Sequence, residues 1–333
     1  MDLSTTWLGL KLPHPFMPGA SPLADSLDSV KRLEDAGAAA IVLRSLFEEQ
    51  LLYEQLATHR YTDFHRDVFP EAASFLPEPG DFHLGPDTYL EHLSKIRAAV
   101  DLPVIASLNG TTPEGWLDHA RLIEQAGASA IELNVYGVGA DPGEGAGDIE
   151  TRTLALVKQV KRRIKIPVAV KLSPFYTSLS HFASQLQLAG ADGLVLFNRL
   201  FEPELDVEAL EVKRVLHLSD PSELPLRLRW LGVLSAQLTC SLAASGGVHT
   251  TTDAVRALMA GADVVQVVSL LLKKGPGELA KLRQGLTQWL EEREYESLAQ
   301  LRDSMNYASC PDPTAYLRAN YLLMLQSGWD DKK

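Results

Sequence analysis

Cysteine is scarce. Cys240 and Cys310 are the two in 333 residues, and their spacing offers no metal knuckle, iron–sulfur cluster or redox pair. That usage suggests a reduced, cytoplasmic setting. Long apolar runs are missing too: nowhere are there the ~18–20 consecutive apolar residues needed to span a bilayer. Residues 1–19 carry no basic stretch followed by an apolar core, and Pro13, Pro15 and Pro18 interrupt them. No signal or transit peptide is expected there. Positive charge is in deficit, with 31 Lys and Arg against 43 Asp and Glu, for a formal charge of −12. Such a chain is no general binder of nucleic-acid backbones. It can still grip one phosphate, because helix N-termini do so through backbone N–H groups.

What the chain does have is a repeated phrase. It reads Asp35-Ala-Gly-Ala-Ala-Ala-Ile-Val-Leu43, then Gln125-Ala-Gly-Ala-Ser-Ala-Ile-Glu-Leu133, then Leu188-Ala-Gly-Ala-Asp-Gly-Leu-Val-Leu196, then Met259-Ala-Gly-Ala-Asp-Val-Val-Gln-Val267. Amphipathic runs precede the glycines, with Leu23, Leu27 and Val30 on one face before Gly37, and Trp116, Ala120 and Ile123 before Gly127. Glycine just past a helix end takes the left-handed conformation without a Cβ clash. The short Ile/Val/Leu-rich run that follows reads as a strand buried on both faces. A second phrase alternates with the first: Asp101-Leu-Pro-Val-Ile-Ala-Ser-Leu108 and Lys165-Ile-Pro-Val-Ala-Val-Lys-Leu172, after helical stretches over Tyr89–Val100 and Thr153–Ile164. With Phe16–Ala20 as the first strand and Cys240–Ala244 as the seventh, eight strand–helix units are counted. The predicted fold is an α/β (β/α)₈ TIM barrel rather than an open doubly wound sheet, in which such even repetition is hard to explain. A single domain is expected, with the barrel over about residues 12–291 and C-terminal helices over 292–333. Residues 2–12 read as a hairpin, Thr5 to Leu8 against Leu10 to Leu12, plugging the barrel floor. Long insertions follow the second strand (residues 47–86) and the sixth (residues 201–226), the latter as a small sheet.

Barrel active sites are built at the carboxyl ends of strands. Ala244-Ser-Gly-Gly-Val248 follows the seventh strand, and Val267-Val-Ser269 ends the eighth. Adjacent glycines let backbone approach an anion, and the two helix starts supply oriented N–H groups, so this pair of loops is the expected phosphate grip. Lys171, inside an apolar run that ends the fifth strand, is costly unless its ammonium has a polar partner. In the mouth it could stabilise negative charge on a bound ring. Asn109, Asn134 and Asn198 end the third, fourth and sixth strands, amides suited to a flat heterocycle.

These elements together resemble the dihydroorotate dehydrogenase family of FMN-dependent flavoenzymes. The likeness rests on Pro18-Gly-Ala-Ser21, Glu132-Leu-Asn134, Val170-Lys-Leu-Ser-Pro174, Phe197-Asn198, Ser245-Gly-Gly-Val248 and Gly261-Ala-Asp-Val-Val-Gln-Val267, in the same order over about residues 12–275. The resemblance implies that Ala20, Ser21, Ser45, Asn109 and Lys171 line the flavin and ribityl chain. It implies that Gly246, Gly247, Val268 and Ser269 hold the phosphate, and that Asn134 and Asn198 face a pyrimidine substrate. It also exposes departures. Where the family has a cysteine or serine base after the fourth strand, this chain has Gly137. Arg44 replaces the second-strand lysine, and Arg199 follows Asn198 in place of serine. Tyr136, beside Gly137, is with Lys171 the candidate catalytic residue, although a phenol is a poor base unless strongly tuned. Asp141, Glu144, His14 and His83 are the other groups to be placed.

Three functions remain open. The first is an FMN oxidoreductase acting on a pyrimidine-like small molecule, with an external electron acceptor and a homodimeric state. The second is a non-catalytic or electron-carrying flavoprotein. The third is a flavin-free barrel enzyme acting on a phosphorylated metabolite.

Overall fold

The computed structural model describes residues 1–47, 86–110, 116–135, 137, 139–199, 202–213 and 215–326. Most of the insertion after the second barrel strand, His83 and Tyr136 lie outside them.

Eight parallel strands form one sheet: β3 (Phe16–Pro18), β4 (Ile41–Phe47), β5 (Val104–Asn109), β6 (Ala130–Asn134), β7 (Val168–Leu172), β8 (Gly193–Leu196), β11 (Ser241–Ser245) and β12 (Val264–Val267). Their spatial order is β3-β12-β11-β8-β7-β6-β5-β4. The remaining seam is bridged where the Ala39 N–H donates to the Phe16 carbonyl at 3.0 Å, just ahead of β4. Helices alternate with the strands on the outside, as parallel crossovers demand. This is the (β/α)₈ barrel that the repeated phrases predict.

All four repeat glycines, Gly37, Gly127, Gly190 and Gly261, have φ between +81° and +117° and stop the helix ahead of each strand. In the alternating phrase, Pro103 and Pro167 sit one residue before β5 and β7. Their carbonyls accept from Ile41 and Ile131 across the ladder at 3.0 Å, a role that needs no proline N–H. The helix read over Thr153–Ile164 is longer, Ala146–Arg163, because Gly145 and Asp148 cap it inside the glycine-rich loop. Leu23 belongs instead to a 3₁₀ turn (Pro22–Ala24), and Ser26 caps a separate helix from Leu27.

The predicted hairpin is present, β1 (Thr5–Trp7) against β2 (Leu10–Leu12). Trp7, Leu8 and Leu12 pack with the inward residues Met17, Ala39, Ala40, Val42, Ile105, Ala130, Ala169, Val195, Ala243 and Val264. The five alanines among them leave room in the floor for the plug. A Cβ on Gly193 would lie 2.5 Å from Leu8 Cδ2, so only glycine admits the hairpin there. The insertion after β8 carries a second antiparallel pair, β9 (Glu204–Asp206) with β10 (Glu211–Lys213), as expected. The tail crosses the outer helices, with Met305 and Tyr307 N–H groups donating to Met259 and Gly232 carbonyls at 2.9 Å.

Candidate active site

The carboxyl ends of the eight strands converge on one mouth. Ala20, Ser21, Ser45, Asn109, Asn134, Lys171, Asn198, Gly246, Gly247, Val268 and Ser269 all lie at or just beyond those ends. On β4 the pairing with β5 shifts between Val42 and Ser45, an extra residue that re-aims the chain at the mouth. Ser45 then lies opposite Ser107, and Asn109 opposite Asn134, which in turn pairs with Lys171.

Side chains in this register form two polar groups. In one, the Asn134 amide donates to Ser45 Oγ and Ser107 Oγ, both at 2.8 Å, and the two hydroxyls are 2.8 Å apart. Asn134 Oδ1 and the Ser21 hydroxyl are buried without a partner in the chain. Buried polar atoms are costly unless paired, so both are positions for a ligand's donors. In the other group, Lys171 Nζ lies 3.2 Å from Glu132 Oε1 and 3.4 Å from Gln266 Oε1, while Gln266 Nε2 donates to Glu132 Oε2 at 2.6 Å. All three side chains are buried. Glu132 is thus the polar partner that a lysine in an apolar run requires. The signal for Glu132 and Gln266 was an acid and an amide inside otherwise apolar strands, though no role was read for either. Behind Ser107, Tyr89 Oη donates to its carbonyl at 3.2 Å and accepts its N–H at 2.9 Å. Burial pushes the Tyr89 phenol far up, so it is a fixed strut.

Two strands along the barrel from Lys171 are the glycines of the β11 loop. Gly246 and Gly247 have φ of +90° and +80°. A Cβ at Gly247 would lie 2.7 Å from the backbone nitrogen of Leu224, and one at Gly246 would lie 2.8 Å from Arg227 Nη2. Only glycine fits either position. Thr250 and Asp253 form a capping box at the start of the next helix, Thr251–Met259. Ser219, which sequence reasoning missed, reaches in from the insertion: its hydroxyl lies 2.8 Å from Ser269 Oγ and 3.3 Å from the Gly247 N–H. Lys273 Nζ holds the Ser219 carbonyl at 3.2 Å.

Gly137 is exposed, and a Cβ built there meets nothing within 4 Å. Exposed Asp141 accepts the Gly143 N–H of its own loop at 2.8 Å, and Glu144 pairs with Arg152. His14 precedes β3, at the barrel end opposite the mouth, so it takes no part in the site. Arg44 pairs with Asp25 at 2.8 Å, and Arg199 pairs with Glu223.

A family model described as Dihydroorotate dehydrogenase matches residues 2–290. Among curated relatives, a Dihydroorotate dehydrogenase B (NAD(+)), catalytic subunit from Thermoplasma volcanium is 27% identical over 309 residues, 90% of this chain and 97% of its own length. A protein of the same name from Methanocella arvoryzae is 29% identical over 299 residues, covering 86% and 92% of the two chains. A protein from Aeropyrum pernix, provisionally assigned as dihydroorotate dehydrogenase A (fumarate), is 28% identical over 316 residues, covering 92% and 97%. Among the described residues, no helix is long and apolar enough to cross a membrane.

Proposed function

The chain belongs to the dihydroorotate dehydrogenase family, and on that premise we propose that it is an FMN-dependent oxidoreductase of a small pyrimidine-like molecule. The observation that carries the reading is a buried lysine and a glycine-only loop at the carboxyl ends of strands of one barrel mouth, a cation and an anion grip at the same rim. When bound there, FMN would exchange a hydride with the substrate at N5 and pass electrons to an external acceptor.

The chain's own residues fit that group. Gly246, Gly247, Val268 and Ser269 offer the phosphate backbone N–H groups and a hydroxyl. Ala20, Ser21, Ser45 and Asn109 would line the ring and ribityl chain, with the unpaired Ser21 hydroxyl as one free contact. Lys171 supplies a fixed positive charge beside the ring, where negative charge develops on reduction. Its pairing with Glu132 holds the ammonium in place and tempers its charge. Asn134, fastened by two serine hydroxyls, presents its remaining amide oxygen to the substrate's N–H edge, and Asn198 faces the same space. Tyr136, next to Gly137 in the chain, is the candidate for moving a proton; of the acids in the described loop, Asp141 accepts from Gly143 and Glu144 pairs with Arg152. A reduced, cytoplasmic compartment and a homodimer fit the thiol-poor composition and the family.

A second reading is favoured by one specific observation: Gly137 leaves the base position without a side chain, as a non-catalytic or electron-carrying flavoprotein would. A single experiment separates the readings. Purified protein should be yellow, release FMN at about one per chain, and be reduced anaerobically by its substrate. Dihydroorotate should bleach the flavin band slowly or not at all, since positioned general-base catalysis is worth about 10² to 10⁴ in rate. Bleaching above about one per second would show that another residue serves as base. A colourless protein that refuses FMN removes the proposal.

A further inference from the structure

Arg199 directly follows Asn198 at the mouth and shares one carboxylate with a second arginine. Glu223 Oε1 takes Arg199 Nη1, and Glu223 Oε2 takes Arg227 Nη2 at 3.2 Å. Arg227 is fully committed: its Nε donates to the Ser245 carbonyl and its Nη1 to the Glu223 carbonyl, both at 2.9 Å, and the side chain is buried. Arg199 makes no such set of bonds. Its Nε is buried without a hydrogen-bond partner, while the side chain as a whole remains 30% exposed. Two guanidinium groups against one carboxylate leave the cluster one positive charge in excess. Burial first, and then the charge of Arg199, pull the Arg227 guanidinium below its ordinary value, with Glu223 opposing. An excess charge in a half-buried place calls for an anion.

We propose that Arg199 is a specificity-determining residue that binds an acidic group of the substrate, exchanging Glu223 for it. This rests on the reading of the mouth as a substrate site. Arg227 faces Gly246, at the phosphate end, and the structure has already anchored it there. Arg199 takes the other carboxylate oxygen and directly follows Asn198 in the chain, and with Asn198 read as a substrate contact the anion it meets is the substrate's. A planar guanidinium binds a carboxylate through two parallel N–H bonds, and the edge that Glu223 gives up, Nη1 with Nη2, supplies them. Glu223 keeps Arg199 neutralised until the acid arrives and stays bound to Arg227 afterwards.

The test uses the protein as purified, titrated calorimetrically with orotate, with fumarate and with uracil, which shares the orotate ring but lacks its carboxylate. Wild type should prefer the acids to uracil. Arg199→Gln should lose about tenfold or more in orotate affinity and leave uracil and FMN affinity unchanged. Arg199→Lys should fall between the two. Glu223→Gln should move orotate affinity the opposite way, upward, which a merely structural role for the cluster would not do. A wild type without preference for either acid, an Arg199→Gln variant that keeps the preference, or one that loses FMN affinity instead, overturns the proposal. Calorimetry needs no flavin colour, so absence of FMN would fail the cofactor reading while the acid preference still decides the role of Arg199.

Discussion

Lys171 and Glu132 are both withdrawn from water, which makes their pairing a matter of necessity. Removing one partner of a buried ion pair typically costs about 3 to 5 kcal/mol, because the other charge is left uncompensated. Lys171→Met is therefore expected to lower unfolding stability by that order as well as FMN affinity, where Lys95→Ala, on an exposed helix face, changes neither. Glu132→Gln keeps the shape, frees the ammonium, and should raise the flavin midpoint potential in a spectroelectrochemical titration. An unchanged potential in both site variants would detach Lys171 from the cofactor. His14 answers to pH. Burial, then the charge of Arg283, hold its imidazole down to about 4, against 6.5 for the free side chain. The folded chain keeps it neutral, so as pH falls from 6.5 toward 4 the unfolded chain takes up the proton first. Stability is lost through that window, by up to about 3 kcal/mol, and does not depend on His14 above it. Urea midpoints at about pH 7.5 and about pH 5 should differ, and His14→Gln should remove most of the difference.

Among the elements, the hairpin β1–β2 was legible as two short runs, Thr5 to Leu8 and Leu10 to Leu12, ahead of the first barrel strand, and the structure packs it into the barrel floor. The tightness of that fit was not legible, since it depends on Leu8 meeting Gly193 across 185 positions of chain. Gly193→Ala should overpack the floor and cost about 1 to 3 kcal/mol, read from the denaturation midpoint. Gly9→Ala, with nothing near its Cβ but φ of +78°, tests backbone strain separately. Helix starts were the least visible feature. The helix capped by Gly145 starts at Ala146, seven residues before the apolar pattern becomes clear at Thr153, because capping there is made by Asp148 rather than by an apolar stripe. The shifted register of β4, which carries Ser45 to the mouth, left no local sign at all.

At the scale of the molecule, the repeated phrases carried the barrel because each encodes a helix stop and a buried strand, and closure follows from their number. The mouth was legible one strand end at a time; what joins the ends was not. Glu132 meets Lys171 and Gln266 only once β6, β7 and β12 are curved around one axis, and Ser219 and Glu223 arrive from an insertion whose path no period describes. A cofactor gripped by several such segments should tie them into one stability unit. Free FMN at a hundred times its dissociation constant is expected to raise unfolding free energy by about 2.7 kcal/mol, through preferential binding to the folded chain. Riboflavin, which lacks the phosphate, should stabilise far less at equal concentration, because the Gly246–Gly247 and Ser269 donors are left without an anion. Denaturant titrations with each flavin read the difference directly. Equal stabilisation by the two would mean that the glycine loop does not hold a phosphate, and the lysine side of the mouth alone would then have to account for flavin binding.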